Sequence, residues 1–192
     1  MRLRAYSEYK DSGVEWLGGV PEHWEILPMR YVITLNPSVA LSEIPGCQEV
    51  TFLPMDKIKY GFHVENTELA EKYNASYNVF EEGDILLAKV TPCFENGNIA
   101  VASRLAGGKG FGTSEIFVIR PTVAYRQYLF YFLQTNYFKS IGIASMSGAG
   151  GLKRVPSDTI LTSRIPYPPE WEQRTIAAFL DAETARIDSL IA

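Results

Sequence analysis

The chain has 192 residues, 46% hydrophobic and 12% aromatic, enough for one domain with a sizeable core and a short extension. Its longest apolar stretches are broken by charge, Gly or Pro well short of the roughly 18–20 residues that cross a bilayer, so neither a membrane span nor a signal peptide is expected. The formal net charge of −4 weighs against a protein that wraps DNA unaided, because affinity for nucleic acid comes from neutralising phosphates.

In chain order, Tyr9–Gly18 is turn-rich with scattered aromatics and reads as an irregular arm, and Pro21-Glu22-His23-Trp24 starts the domain proper. Trp24–Leu35 mixes β-branched and aromatic residues and reads as a strand with a helical turn. Short strands bounded by Gly, Asn or Pro follow at Glu49–Leu53, Tyr77–Phe80, Ile85–Val90, Ile99–Ala102 and Glu115–Arg120. From Val123 to Ile143, Tyr128, Leu129, Phe132, Leu133, Tyr137 and Ile141 recur at helical spacing, which predicts one helix. A glycine-rich loop runs from Ser145 to Arg154, and Ile160, Leu161 and Ile165 predict a final strand before Pro166-Tyr167-Pro168-Pro169. Beyond the prolines, Ile176, Leu180, Ile187 and Ile191 form an apolar seam flanked by charge, a helix that wants a partner and whose pattern still runs at Ala192, the alternative being ordinary packing onto the same domain. The fold class is therefore mixed α/β (α+β), with residues 1–169 as one domain and 170–192 as the start of a coiled-coil helix.

Charge is distributed unevenly. Between Asn66 and Asp84 five acids (Glu68, Glu71, Glu81, Glu82, Asp84) face one Lys72, whereas Lys139, Lys153 and Arg154 stand without an acid between Lys139 and Arg154. The second stretch suits close approach to a phosphate backbone. Two cysteines, Cys47 and Cys93, are too few for a disulfide framework and lack zinc-site spacing, which favours a reducing cytoplasm.

Three segments together resemble the specificity subunits of type I restriction-modification systems. They are Tyr9-Lys10-Asp11-Ser12-Gly13-Val14-Glu15-Trp16-Leu17-Gly18 with Val20–Glu25; Gly83–Pro92 continued by Gly112–Pro121; and Ile165–Pro169 leading into Glu172-Gln173-Arg174-Thr175-Ile176-Ala177-Ala178-Phe179-Leu180-Asp181. The resemblance covers nearly the whole chain. It implies a mixed α/β target-recognition domain joined to a long helix that pairs antiparallel with a second specificity half, a second copy of this chain being one version of that half. It further implies that double-stranded DNA is read as one part of a bipartite target, that no cofactor is bound, and that methyltransferase and restriction/translocase subunits supply the chemistry. The chain departs from the family in length, since a typical member holds two such domains and two helices.

A DNA reader must present donors, acceptors and cations to a groove. In Thr91–Asn98, with Lys89 at its base, Asn96 and Asn98 suit adenine and Glu95 can accept from cytosine; the plain alternative is an Asn-Gly turn. In Ser145–Arg154, glycines let backbone N–H groups approach an anion while Lys153 and Arg154 add charge, the alternative being a solvated connector. Thr91, Arg104, Lys109, Thr113, Ser114 and Ser147 complete the expected DNA-binding set. Gly107–Gly112 lacks the Lys-Ser/Thr ending of a P-loop.

Other readings are weaker. His23 and His63 stand apart and read as structural or exposed, and the aromatics at Tyr128, Phe132 and Tyr137 read as core at their helical spacing. A DNA methyltransferase fragment would need an Asn/Asp-Pro-Pro-aromatic site, and Tyr167-Pro168-Pro169-Glu170 has neither the leading amide nor the trailing aromatic. A nuclease needs clustered carboxylates near a lysine, for which Asp84 with Lys89 is too sparse. A carbohydrate- or peptide-binding module gripping through Trp16, Trp24 and Trp171 is permitted by composition but leaves the basic loop and terminal helix without a purpose.

Overall fold

The computed structural model of the chain describes residues 5–38, 48–61, 63, 67–72, 76–149 and 151–191. Cys47, Asn66 and Gly150, which entered the sequence reading, lie outside the described residues. The centre is an antiparallel sheet in the order β4 (Ile33–Leu35), β11 (Ile116–Pro121), β8 (Ile85–Ala88), β9 (Ile99–Val101). Along β8 and β11 nearly every residue is buried, and alternate residues serve different layers. Ile85, Leu87, Phe117 and Ile119 face a helical layer, joining Met29, Leu129, Phe138, Ile160 and Ile165. Leu86, Ile116 and Val118 face the opposite way, against Leu53, Ile58, Phe80 and Leu105.

That opposite layer is a second sheet, β6 (Thr67–Leu69), β5 (Glu49–Leu53), β10 (Lys109–Gly112), β7 (Asn78–Glu81), antiparallel except for the parallel β5–β10 pair. Strand β10 lies in the glycine-rich stretch Gly107–Gly112, to which the sequence reading assigns no strand. Its glycines are required by proximity: a Cβ on Gly110 would stand 2.4 Å from the Phe80 ring, and one on Gly112 would stand 2.6 Å from the Leu53 carbonyl oxygen. Only a strand without side chains on that face lets Phe80 close over it.

The helical layer departs from expectation in two places. The continuous helix over Val123–Ile143 is two, α1 (Arg126–Leu133) and α2 (Asn136–Ser145). Thr135 divides them, because its extended backbone (ψ 146°) and its hydroxyl, which accepts from the Phe138 N–H at 3.3 Å, make it an N-cap in the middle of an apolar pattern. Ile160 and Leu161 belong not to a strand but to a short helix, α3 (Ser157–Thr162); the strand is β12 (Arg164–Tyr167), paired with β3 (Glu25–Pro28). Trp24–Leu35 resolves into β3, a 3-10 turn over Met29–Tyr31, and β4, in agreement with the strand-plus-turn reading.

The opening arm is more regular than its composition implies, since β1 (Tyr9–Asp11) and β2 (Gly19–Pro21) form an antiparallel hairpin. Asp11 accepts from the Gly13 N–H at 2.9 Å, and Gly13 and Gly18 turn the chain at φ +65° and +61°. The tip residue Trp16 stacks on Tyr137 of α2, ring centroids 3.8 Å apart.

The long helix α4 (Glu170–Ile191) starts inside the domain and ends outside it. Glu172, Gln173 and Ala177 are buried, Ile176 packs against the main core, and every described residue from Thr184 to Ile191 is exposed. Glu172 is held by three donors: Tyr6 Oη at 2.6 Å, Trp24 Nε1 at 2.8 Å and His23 Nε2 at 2.5 Å. Burial pushes this carboxyl up, and the three donors outweigh burial, leaving it below the usual carboxylate range. Gln173 uses both ends of its amide, accepting from the Tyr125 N–H at 2.8 Å and donating to the Pro168 carbonyl at 2.8 Å. No helix among the described residues is long and apolar enough to cross a membrane.

Candidate nucleic-acid interface

Beyond β8 the chain leaves the central sheet in the turn Thr91–Asn98 and returns as β9. The turn is shaped by its own backbone, with Phe94, Asn96 and Asn98 N–H groups donating to the carbonyls of Val90, Pro92 and Cys93 at 2.9, 2.9 and 3.0 Å. Phe94 is its anchor, buried and pressed onto α2 at Gly142, where a Cβ would come within 2.1 Å of the ring. A glycine in α2 thus lets the turn lie directly on the helical layer.

The second expected loop joins the first. Thr91 N–H donates to the Lys153 carbonyl at 3.0 Å, Val155 N–H to the Lys89 carbonyl at 2.9 Å, and bridges link Val90 and Ser147 to Arg154. The turn between β10 and β11 completes the set, with Lys89 N–H donating to the Glu115 carbonyl at 3.1 Å. Lys89, Thr91, Glu95, Asn96, Asn98, Thr113, Ser114, Ser147, Lys153 and Arg154 therefore gather at one end of the central sheet. Asn96, Ser114, Ser147, Lys153 and Arg154 are exposed there.

Within this group the side chains are committed to different degrees. Arg154 forms a two-pronged bond to Glu115, 2.9 and 2.8 Å, and that bond holds the Glu115 carboxyl below its usual range. Lys89 lies over the Phe117 ring, 5.6 Å from its centre. Glu95 turns inward: its Oε1 accepts from the Thr91 hydroxyl at 3.0 Å and its Oε2 is buried, so it braces the turn. Lys153 has no ion pair among the described residues and stands free to meet an anion.

Arg104 and Lys109 are not part of this end. They lie toward the start of β8, at the opposite end of that four-residue strand, beside Glu82 and Glu81. There Glu82 accepts from the Arg104 and Leu105 N–H groups at 2.9 and 3.1 Å, and Lys109 approaches Glu81 at 4.0 Å. Asp84, almost fully buried, takes both prongs of Arg120 at 2.8 and 2.7 Å.

Two further residues border the Asn96–Asn98 turn: Tyr60, which the sequence pattern does not single out, and Lys139, which it notes as part of the acid-free basic stretch. Tyr60 and the Lys139 ammonium both approach Gly97, the first from a segment bridged to Ile99, the second from α2. A basic-aromatic run, Lys57-Ile58-Lys59-Tyr60, is the signal that could have found the first. The tryptophans do not gather into a grip: Trp16 is stacked on Tyr137, Trp24 is bonded to Glu172, and Trp171 is exposed on α4. His23 is structural, bound to Glu172, and His63 is buried, accepting from the Ser103 N–H at 3.1 Å. Tyr167 and Pro168, in the stretch weighed as a methyltransferase motif, bond to Val123 and Gln173 through the Tyr167 hydroxyl and the Pro168 carbonyl.

The domain thus combines two four-stranded sheets, a helical layer, loops collected at one end of the central sheet and a long helix whose last turns are exposed. The model of the type I restriction modification DNA specificity domain matches residues 46–190, and the chain belongs to that family. It is 35% identical over 162 residues to the EcoEI specificity subunit and 37% identical over 163 residues to the EcoAI specificity subunit, both from Escherichia coli. Each comparison covers 82% of this chain but only 27% of the relative, so the chain spans about a quarter of their length. In three dimensions it is similar to the HsdS subunit from Thermoanaerobacter tengcongensis, with a TM-score of 0.72 at 21% identity over 89% of this chain and 44% of that one.

Proposed function

We propose that this chain is one half of a type I DNA-specificity subunit: residues 1–169 read one part of a bipartite duplex target, and α4 begins the spacer. Asn96 and Asn98 read base edges, while Lys153, Ser147 and the Thr113–Ser114 turn contact the backbone. Arg154 and Glu95 hold the two loops in place, and Lys89 lies beneath them. Arg104 and Lys109 take part only if the duplex wraps toward the far end of the sheet.

The observation that carries the proposal is the meeting of three separate loops at one end of a rigid sheet, with an amide turn and an unpaired lysine side by side. The chemistry belongs to partners: a methyltransferase subunit modifies adenine and a restriction subunit translocates and cuts, while this chain catalyses nothing. Ile187 and Ile191, exposed on α4, meet the antiparallel helix of a second half, and Ile176 and Leu180 lie nearer the domain.

The test is to mix the chain with its methyltransferase subunit and map methylated adenines across a genome. A bipartite motif is expected, palindromic if two copies of this chain pair. Methylation by the isolated chain, or none that depends on sequence in the complex, overturns the reading.

A further inference from the structure

Tyr60 is an exposed aromatic, 61% accessible, on a backbone that is not free to move. Ile99 N–H donates to the Lys59 carbonyl at 3.1 Å, Gly61 N–H donates to the Ile99 carbonyl at 2.8 Å, and the neighbouring Ile58 is fully buried in the core between the sheets. What the ring covers is Gly97. A Cβ there would stand 3.0 and 3.3 Å from two ring carbons and 3.7 Å from the Lys139 ammonium, and Gly97 itself turns at φ +72°. Lys139 and the exposed Lys59 have no ion pair among the described residues. A rigidly mounted ring flanked by unpaired cations, resting on the turn that carries Asn96 and Asn98, has the composition of a contact surface: little rotamer freedom to lose, an apolar edge and a polar tip.

We propose that Lys139 is a phosphate contact and that Tyr60 is a specificity residue, setting the height of the Asn96–Asn98 turn and presenting its own ring edge to the groove. This rests on the function proposed above and extends its surface to two residues from other elements. The ring's apolar edge suits a thymine methyl, and a lysine that reads only charge weakens every sequence alike. The other side of Tyr60 borders a groove shared with Leu180 and Thr184 of α4, so a role in holding a partner helix is the outcome to be separated.

The chain, complexed with its methyltransferase subunit, is compared with Tyr60→Phe, Tyr60→Ala, Lys139→Gln and, on strand β1, Lys10→Gln. Methylated motifs are mapped on a random-sequence duplex pool, duplex affinity is followed against salt, and melting is recorded. Tyr60→Ala should relax one base position by about tenfold, with Tyr60→Phe close to the parent. Lys139→Gln should weaken all sequences alike and lower the salt slope by about one. Lys10→Gln should change nothing. If Tyr60→Ala does not fold, Tyr60→Leu is used in its place with the same expected relaxation. Unchanged motif, affinity and slope in folded variants overturn the inference, as does weakened complex assembly with the motif intact. A parent complex with no sequence-dependent methylation overturns the proposed function instead.

Discussion

The two ends of the β4–β11–β8–β9 sheet carry similar residue types and treat them in opposite ways. Where β8 begins, Asp84 is 2% exposed and takes both prongs of Arg120, Glu81 adds a third contact to Arg120 at 3.0 Å, and the Arg126 guanidinium lies against Gly83. Where β8 ends, Lys139 and Lys153 have no ion pair among the described residues, and Asn96 is exposed on its turn. A charge already satisfied inside the fold contributes to stability and has little left for a partner, while an unsatisfied exposed one costs the fold almost nothing and remains available. The acidic balance of the whole chain thus describes the first end and conceals the second.

The largest expected effect breaks the closed end. Asp84→Ala removes both prongs from Arg120, which keeps its contact to Glu81, and removes the acceptor of the Glu81 N–H, which is 2.8 Å away, and should cost about 3 kcal/mol; chemical denaturation measures it, and the motif read by any folded fraction should not change. Next comes the clamp at the base of α4. Glu172→Gln should cost about 2 kcal/mol at neutral pH. Because the folded carboxyl lies below its unfolded value, its contribution is complete above the ordinary carboxylate range and is lost as pH falls through the folded value. The parent should therefore lose stability in that acid window, and the variant should show a flatter acid limb in melts recorded against pH.

Smaller effects sharpen the open end. Lys153→Gln should leave melting where it is, lower duplex affinity for every sequence and reduce the salt slope by about one. Glu115→Gln should lower melting only slightly, since its partner Arg154 is exposed. By releasing Arg154 it should raise duplex affinity slightly, which a salt titration would detect as a steeper slope.

Much of this arrangement was legible in the sequence, and the parts that were not share a cause. Strands β5, β7, β8, β9 and β11 announce themselves because their β-branched and aromatic residues are what both faces of a buried sheet require. Strand β10 does not, since its glycines answer to the Phe80 ring and to the Thr51 and Leu53 carbonyls, residues far away in the sequence. The break at Thr135 is hidden for a related reason: a capping hydroxyl inside an apolar pattern looks like any polar residue on a helix face. At the interface, residue type told which side chains could meet DNA but not which end of a sheet they occupy, so Arg104 and Lys109 were grouped with loops from which they are separated. Nor could it tell that the Glu95 carboxylate turns inward to Thr91.

Gln173 has a consequence beyond its own bonds. A buried amide that accepts on one side and donates on the other can sit in a single orientation, so α4 leaves the domain with its rotation about its own axis fixed as well as its direction. Each residue added or removed between Gln173 and Ile187 would swing the exposed Ile187–Ile191 stripe by about 100° and shift it by about 1.5 Å. The helix is therefore keyed, like a shaft in a slot, and its exposed stripe is presented at a set azimuth.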